Sequence, residues 1–360
     1  MPRKHFPPQD PAIASHRSHA LKLLHNHENA ALSAFLSSLS SSFSPKRLID
    51  APDPNGDTLV HFAARMHNLA TLRLLVQEYG GNPRAVNEHG RQPIHEAIDS
   101  VESVQLLVEE CRVEVDAIKR GDWTPLMIAG VIPYRHTIPI GSAMKGNLKV
   151  MKILVNAGAN VEMVNKDGWN ALHLAAKEGH LDATIYLTTC SPISTLRPST
   201  SGRLPIHTAT ICLPPTSPPD LILYLLTHSP STPTAILRHT DNAGLDLFST
   251  AIHGGNLSLI RTLVRTYGAD PNRRDRTGRQ PAHHGAMTGQ VGALREVWEA
   301  TGGMGFEVDS VDAWDEWTPL MHAAKEGWEV MVRWLVEVGG AKVGRKDNKG
   351  RRAVDLVTLK

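Results

Sequence analysis

One short phrase recurs nine times along the chain, and its spacing limits what the chain can fold into. It first reads GDTLVHFAA from Gly56, and it returns in forms such as GRQPIHEAI and GWNALHLAA. Its histidine slot falls at His61, His95, Met127, His173, His207, Ser249, His283, Met321 and Asp355. The intervals are 34, 32, 46, 34, 42, 34, 38 and 34 residues. This period predicts a row of small stacked units, each of which needs its neighbours to bury its apolar face.

Each phrase predicts a short helix with a defined start, and a second helix follows it. The position before the histidine slot is apolar in all nine copies, and alanine lies two positions after the slot in seven. A proline in five copies suits the first helical turn, because that position needs no N–H. Further apolar segments, which we predict to be second helices, begin near Leu72, Val104, Met151, Leu221, Ile260 and Val332. Each unit is therefore predicted to be a turn followed by two helices.

This pattern resembles the ankyrin-repeat family. The resemblance runs from about Asp53 to the C-terminus and is carried by the nine phrases in phase. It implies an all-α ankyrin-repeat solenoid of helix-loop-helix units joined by β-hairpin turns, with an N-terminal helical cap. Such a solenoid would use its concave face to bind a partner.

The same pattern divides the chain into three parts. We predict a disordered, proline-rich tail over residues 1–15, a helical cap over 16–50, and a domain of about nine repeats over 51–360. The last copy is expected to close the stack with one helix, Ala353 to Leu359. Inserts, expected to be surface loops, lengthen the repeats near residues 131–142, 212–220 and 229–236.

Composition excludes several classes of protein. Lys and Arg total 38 against 36 Asp and Glu, which argues against a strongly basic nucleic-acid-binding protein. The sequence has no apolar run long enough to cross a membrane. Only three cysteines occur, so a disulfide framework is not expected and a reducing compartment is, with the cytoplasm and the nucleus as candidate locations.

The sequence contains no strong signal for catalysis or a cofactor. Nineteen histidines are present, and those in the repeat slot are expected to bond to the helix cap and the hairpin backbone. No HExxH or CxxC motif occurs, so we predict no metal site, no cofactor and no catalytic residue. Ser142 and Lys145 form an SxxK pattern, but it is too short to indicate an enzyme by itself.

Candidate partner-binding residues come from the hairpins. Tryptophan occupies the position four before the histidine slot at Trp123, Trp169 and Trp317, and exposed aromatics there would be hot spots. The alternative is that each indole packs on the neighbouring hairpin. Charged candidates are Lys119, Arg120 and Lys166 beside the first two tryptophans, and Arg273, Arg274 and Arg276 on a second basic turn. Acidic residues lie next to that second turn, so a protein partner is favoured over nucleic acid.

Three segments, GDTLVHFAAR, DWTPLM and NKDGWNALHLAAKEG, are similar to a vertebrate branch of the ankyrin-repeat family that co-regulates alanyl-tRNA synthetase. That resemblance implies alanyl-tRNA synthetase as a partner and lysines that accept wrongly activated serine, limiting mistranslation. Lys166 matches one such lysine. Arg120 replaces a second, with Lys119 adjacent, and the third has no counterpart, because its loop offers only Arg197 and Arg203. The alternative is a generic ankyrin adaptor with an unrelated protein partner and no aminoacyl chemistry.

Overall fold

A computed structural model describes residues 10–39, 44–131, 140–303 and 305–357, and of residues 140–147 it describes only the backbone. The chain forms two compact units, Met1–Ala175 and Ala176–Lys360. Within each unit, short helices alternate with tight turns. Alanine and branched apolar side chains of the repeat phrase, such as Leu59, Val60 and Ala63, are fully buried between the helices.

The helices of the first unit follow the predicted pairing of a first and a second helix. The second helices beginning at Leu69 and Val101 end in wider π-helical turns, Leu74–Glu78 and Leu106–Glu110. The helices are α1 (Pro11–His25), α2 (Asn29–Ser38), α3 (Pro45–Asp50), α4 (Leu59–Arg65), α5 (Leu69–Arg73), α6 (Pro93–Glu96), α7 (Val101–Gln105), α8 (Pro125–Val131) and α9 (Ile140–Asn156). Helix α10 (Ala171–Lys177) begins in the first unit and ends in the second.

The second unit continues the same alternation and adds short 3-10 turns at Pro192–Leu196 and Ala353–Leu356. Its helices are α11 (Leu181–Cys190), α12 (Pro205–Cys212), α13 (Asp220–Thr227), α14 (Pro233–Arg238), α15 (Leu247–Gly254), α16 (Leu257–Arg265), α17 (Pro281–Thr288), α18 (Val291–Ala300), α19 (Pro319–Glu326) and α20 (Glu329–Glu337).

The predicted hairpins are tight turns, without any β-strand in the described residues. In each repeat phrase, one amide donates to a carbonyl four or five residues further on, as Asp53 does to Asp57 at 2.9 Å. Neighbouring turns are then joined backbone to backbone: Glu88 donates to Asn55, and Arg120 donates to His89, each at 2.8 Å. These bonds keep neighbouring turns in register. Because each arm of a turn makes so few of them, the turns do not form a continuous sheet.

Three of the five slot histidines bond as the sequence predicted, whereas the buried ring nitrogens of His207 have no hydrogen-bond partner among the described residues. The backbone amide of Thr58 donates to His61 Nδ1 at 3.1 Å, and His61 Nε2 lies 3.0 Å from the carbonyl oxygen of Arg91 in the next repeat. His95 and His283 make the same pair of contacts, the second one to the carbonyls of Ala117 and Trp317. Because Nδ1 accepts a hydrogen bond, the proton lies on Nε2 and the ring is neutral.

Where the slot holds another residue, the helix start is capped by a side chain. Asp246 accepts from the amide of Ser249 at 2.8 Å. Thr124 and Thr318 accept from the amides of Met127 and Met321 at 3.2 and 3.3 Å. The amides at the start of these first helices are therefore hydrogen-bonded, but the link that histidine makes to the next repeat is absent.

Two of the predicted irregular segments prove to be partly helical. The tail predicted over residues 1–15 is helical from Pro11, because Asp10 caps the amide of Ala12 and proline suits the first turn; residues 1–9 lie outside the described residues. The insert near 229–236 contains α14, whose first turn is capped by Thr232 through the amide of Ala235 at 3.2 Å.

The remaining predictions concern two inserts and the last helix of the chain. Of the insert predicted near 212–220, residues 213–219 form a loop between α12 and α13, while Cys212 and Asp220 belong to the helices. Most of the insert 131–142 lies outside the described residues, as do the side chains of Ser142 and Lys145. The helix predicted over Ala353 to Leu359 is a 3-10 turn that ends at Leu356, and residues 358–360 lie outside the described residues.

We predict that the buried histidines make the fold sensitive to mild acid. Burial lowers the pKa of His95 to about 4 and the pKa values of His207 and His283 to about 3. In the unfolded chain each titrates near pH ~6.5, so protons bind the unfolded state first as the pH falls. Between pH 7 and 5, the free energy of unfolding should fall by roughly 1–2 kcal/mol for each of these histidines. Urea titrations at the two pH values measure this.

A variant separates the histidines from other titrating groups. Carboxylates usually titrate near pH ~4, below this window. Replacing His95 by Gln removes one titrating ring and should make the free energy of unfolding less dependent on pH. An equal stability at pH 7 and pH 5 in the unsubstituted chain would contradict the expectation.

Candidate partner-binding groove

Two adjoining cavities lie in the first unit, between the turns and the first helices of three successive repeats. Their volumes are ≈ 530 Å³ and ≈ 590 Å³, and they share Arg65, Arg91, Glu96 and Lys119. We call this surface the basic groove. The rest of its lining is Asn55, Asp57, Asn87, His89 and Arg120 in the first cavity and His67, His95, Ile98, Asp99, Trp123, Ile128 and Val131 in the second.

The floor of the basic groove is an ion-paired network. Glu96 accepts hydrogen bonds from Arg65 Nε and Arg91 Nη1, both at 3.0 Å, while Asp57 accepts one from Arg65 Nη2 at 2.7 Å. Burial would raise the pKa of Glu96, but the hydrogen bond from Arg65 and the charge of Arg91 outweigh it and lower that pKa. Glu96 therefore stays ionised and fixes both guanidinium groups in place.

Lys119 lies beside this network without an ion-pair partner among the described residues. Its Nζ lies over the ring of Trp123, 4.9 Å from the centroid. Burial and the nearby charge of Arg91 lower the pKa of Lys119. In the first cavity, four cationic side chains (Arg65, Arg91, Lys119, Arg120) face two carboxylates (Asp57, Glu96), which leaves two positive charges in excess.

Of the predicted site residues, the structure brings Lys119, Arg120 and Trp123 together in the basic groove. Lys166 and Trp169 belong to the next turn, which is tied to theirs by a hydrogen bond from the amide of Lys166 to the carbonyl of Gly121 at 3.1 Å. Lys166 is exposed, and both tryptophans are half-buried. The ring of Trp169 stacks on His173, with centroids 6.4 Å apart.

Trp317 is not the exposed aromatic that the sequence predicted. Its side chain is buried, with 8% of the residue exposed, and its Nε1 donates to Asp347 Oδ2 at 3.0 Å. Lys325 and Arg351 lie over its ring. Trp317 instead fits the alternative prediction, an indole packed on the neighbouring hairpin. The carboxylate of Asp347 in the next turn accepts the indole N–H, so the ring can be buried without losing a hydrogen bond.

The arginines of the second basic turn donate to backbone carbonyls of their own turn and of neighbouring repeats. Arg274 Nη1 donates to the carbonyls of Gly278 and Val311 at 2.8 and 2.7 Å. Arg276 donates to the carbonyl of Asn242, and Arg273 to that of Arg238, both at 2.8 Å. Arg274 and Arg276 remain exposed. These side chains brace the turns of the second unit, and a role for them in partner binding stays a prediction.

Sequence reasoning missed the anionic and guanidinium groups that organise the groove. Arg65 lies four residues after the slot His61, Arg91 four before the slot His95, and Glu96 directly after it. Aligning the phrases would have placed these positions on one surface of adjacent units. Arginine returns at the position of Arg91 in Arg203, Arg279 and Arg351, but Glu96 occurs in a single copy, so the repeat pattern gave no reason to expect the acid that joins the two arginines.

The described residues contain no group of histidine, cysteine and acidic side chains that could hold a metal ion. Among them there is also no helix with the length and apolar character needed to cross a membrane.

Comparison with known families agrees with the repeat pattern. A model of three ankyrin copies matches residues 12–119, a model of many copies matches 143–188 and 248–295, and a single-repeat model matches 315–348. Together they cover about two thirds of the chain. The first match begins inside α1, so the segment predicted as a cap shares the sequence character of the repeats.

Similar proteins carry the same repeats. The Notch-regulated ankyrin repeat-containing proteins of Homo sapiens and Xenopus tropicalis are 50% identical over 48 residues, which is 13% of this chain and 42% of theirs. Rabankyrin-5 of Mus musculus is 28% identical over 158 residues, 43% of this chain and 12% of its own length. The chain thus spans less than half the length of these relatives. From the family matches and the repeated helix pairs, the chain belongs to the ankyrin-repeat family.

Proposed function

We propose that this chain is a non-enzymatic scaffold that binds a protein partner on the concave face between its turns and first helices. Ankyrin repeats are protein–protein interaction modules. The observation that carries the proposal is the basic groove, where fixed guanidinium groups, an unpaired lysine and the half-buried ring of Trp123 line adjoining cavities. Such a mixture of aromatic and cationic groups is typical of interface hot spots.

The first candidate partner is alanyl-tRNA synthetase. The proposal is supported by the likeness of three segments to ankyrin repeat domain-containing protein 16, a co-regulator of that enzyme, and it includes a role in limiting serine mistranslation in the cytoplasm or the nucleus. Two lysines are available as serine acceptors. Lys166 is exposed, and Lys119 has a lowered pKa, which increases the fraction of neutral amine that can attack an activated ester.

The second candidate is an ankyrin adaptor with an unrelated protein partner and no aminoacyl chemistry. Arg120 at one of the three expected lysine positions favours it, since a guanidinium stays protonated and does not accept an acyl group. The third position also lacks a lysine, as its loop offers Arg197 and Arg203. Both candidates use the same binding face and differ in the identity of the partner and in covalent chemistry.

We expect a partner recovered by affinity capture to depend on the tryptophan pair. Replacing Trp123 and Trp169 by Ala should weaken its binding by ~2–4 kcal/mol, because large rings at an interface centre carry much of the binding energy. Calorimetry with the recovered protein, alanyl-tRNA synthetase being tested first, measures the change. Trp314→Ala is the matched control, because Trp314 is 72% exposed in the second unit. Equal affinity for the double variant would remove this face from the proposal.

The two candidates are separated by a search for seryl-lysine. The chain is incubated with alanyl-tRNA synthetase, serine and ATP, and its tryptic peptides are analysed by mass spectrometry. If the first candidate function is right, the neutral amine of Lys119 or Lys166 attacks the carbonyl carbon of serinyl-adenylate. An amide bond forms, the bond to the phosphate breaks, AMP leaves and a proton passes to solvent. Serine should then be found on these lysines and be lost in Lys119→Arg and Lys166→Arg. Binding without any modification would leave the adaptor as the function.

A further inference from the structure

We propose that the basic groove binds a protein segment in which an acidic side chain is followed by an apolar one, with the carboxylate beside Lys119 and Arg120 and the apolar group against Trp123. This inference rests on the proposed function, since it names the chemistry of the segment that the scaffold would recognise. It is argued from the groove itself and does not depend on which partner supplies the segment.

The first step is the excess of positive charge. Asp57 and Glu96 already accept hydrogen bonds of 2.7–3.0 Å from Arg65 and Arg91. The charges of Lys119 and Arg120 then face the first cavity without a carboxylate partner among the residues that the structure describes. A carboxylate bound there would balance a local field that the free protein leaves uncompensated.

The second step is preorganisation. The contacts with Asp57 and Glu96 hold the guanidinium groups of Arg65 and Arg91, yet their side chains remain 41% and 39% exposed. Fixed and partly exposed donors lose little conformational freedom when a ligand binds. The groove therefore offers a rigid edge of N–H groups beside the more flexible side chain of Lys119.

The direction of the pKa shift of Lys119 also indicates that its positive charge is not balanced by a nearby carboxylate. Burial and the charge of Arg91 both make its ammonium form less favourable, which lowers its pKa. A bound carboxylate would act in the opposite direction and raise that pKa. Binding of an acid and protonation of Lys119 are thus linked, and they favour each other.

The second cavity supplies the apolar half of the site. Trp123, Ile128 and Val131 are each partly exposed along its wall. Lys119 lines both cavities, and it pairs across one turn with Trp123, which lines the second. A segment that places its carboxylate at Lys119 therefore brings its next side chains to the indole face.

The lining favours protein over nucleic acid. Asp57 and Glu96 line the first cavity, and Asp99 lines the second, where its Oδ2 lies 3.9 Å from His67 Nε2. A continuous phosphate backbone would meet these carboxylates as well as the cations. A peptide can place an acidic side chain beside the cations and keep it away from these carboxylates, because its charged side chains are separated by neutral backbone.

The test uses two synthetic peptides and the full-length chain labelled with ¹⁵N. The acidic peptide is acetyl-Gly-Asp-Glu-Leu-Gly-amide, and its neutral counterpart has Asn-Gln in place of Asp-Glu. The indole N–H resonance of Trp123, assigned with Trp123→Phe, reports occupancy. We expect the acidic peptide to shift this resonance, to bind about tenfold or more tightly than the neutral one, and to weaken as salt is added.

Charge reversal locates the effect. Lys119→Glu with Arg120→Glu should lower affinity for the acidic peptide by about tenfold or more, since repulsion replaces attraction. The matched control, Lys22→Glu with Lys149→Glu, makes the same change in net charge at exposed positions outside the groove and should bind as the parent does. The reversed variant should also gain affinity for an acetyl-Gly-Lys-Lys-Leu-Gly-amide peptide, which shows that it is folded.

Several outcomes would overturn the inference. They are equal binding of the acidic and neutral peptides, equal binding by the reversed variant and the parent, or a larger Trp123 shift with a thymidine oligonucleotide than with the acidic peptide. If the peptides fail while partner capture still depends on Trp123 and Trp169, the acidic segment is wrong and the scaffold function stands. If the acidic peptide binds but no captured protein depends on these tryptophans, the scaffold function fails.

Discussion

The hydrogen bonds of a buried, neutral imidazole at the start of the first helix join one repeat to the next where the groove forms, at His61 and His95. Its Nδ1 accepts from the backbone amide of its own helix cap, and its Nε2 reaches a carbonyl of the next repeat, as His61 does to Arg91. One side chain thus satisfies an orphan amide and sets the distance to the following turn. Backbone bonds between turns, such as Arg120 to His89, complete the register. The groove follows from that register, because it aligns Arg65, Arg91 and Lys119 from three successive repeats.

The period, the helix starts and the role of the slot histidines could be predicted because they are local and repeated. A buried apolar position before the slot and a proline at the first turn act within one unit, and nine copies reinforce the signal. The helix Pro233–Arg238 was missed because it occurs once, in a segment rich in proline and serine. Its start depends on one capping hydroxyl, from Thr232, which the repeat frame does not mark.

The candidate site was only partly predictable, since its chemistry depends on contacts between repeats. Trp123 and Trp317 occupy the same place in their phrases. Trp317 is buried because the next turn provides Asp347 as an acceptor, whereas Trp123 faces Lys119 at the edge of a cavity. The Arg65–Glu96–Arg91 network likewise joins adjacent repeats. The repeat pattern alone does not indicate which side chains of adjacent repeats pair with each other, whereas the structure shows these pairs directly.

In the basic groove, the charge that is compensated within the fold differs from the charges that would serve the proposed binding. Glu96 is nearly enclosed and its charge is compensated by two arginines, whereas Lys119 has no carboxylate partner among the described residues. The most direct measurement is hydrogen–deuterium exchange of the whole chain with and without its captured partner. The account predicts slower exchange in the turns over residues 87–91 and 119–123 and little change in the second helices of the same unit. Slower exchange confined to those second helices, with the two turns unaffected, would contradict it.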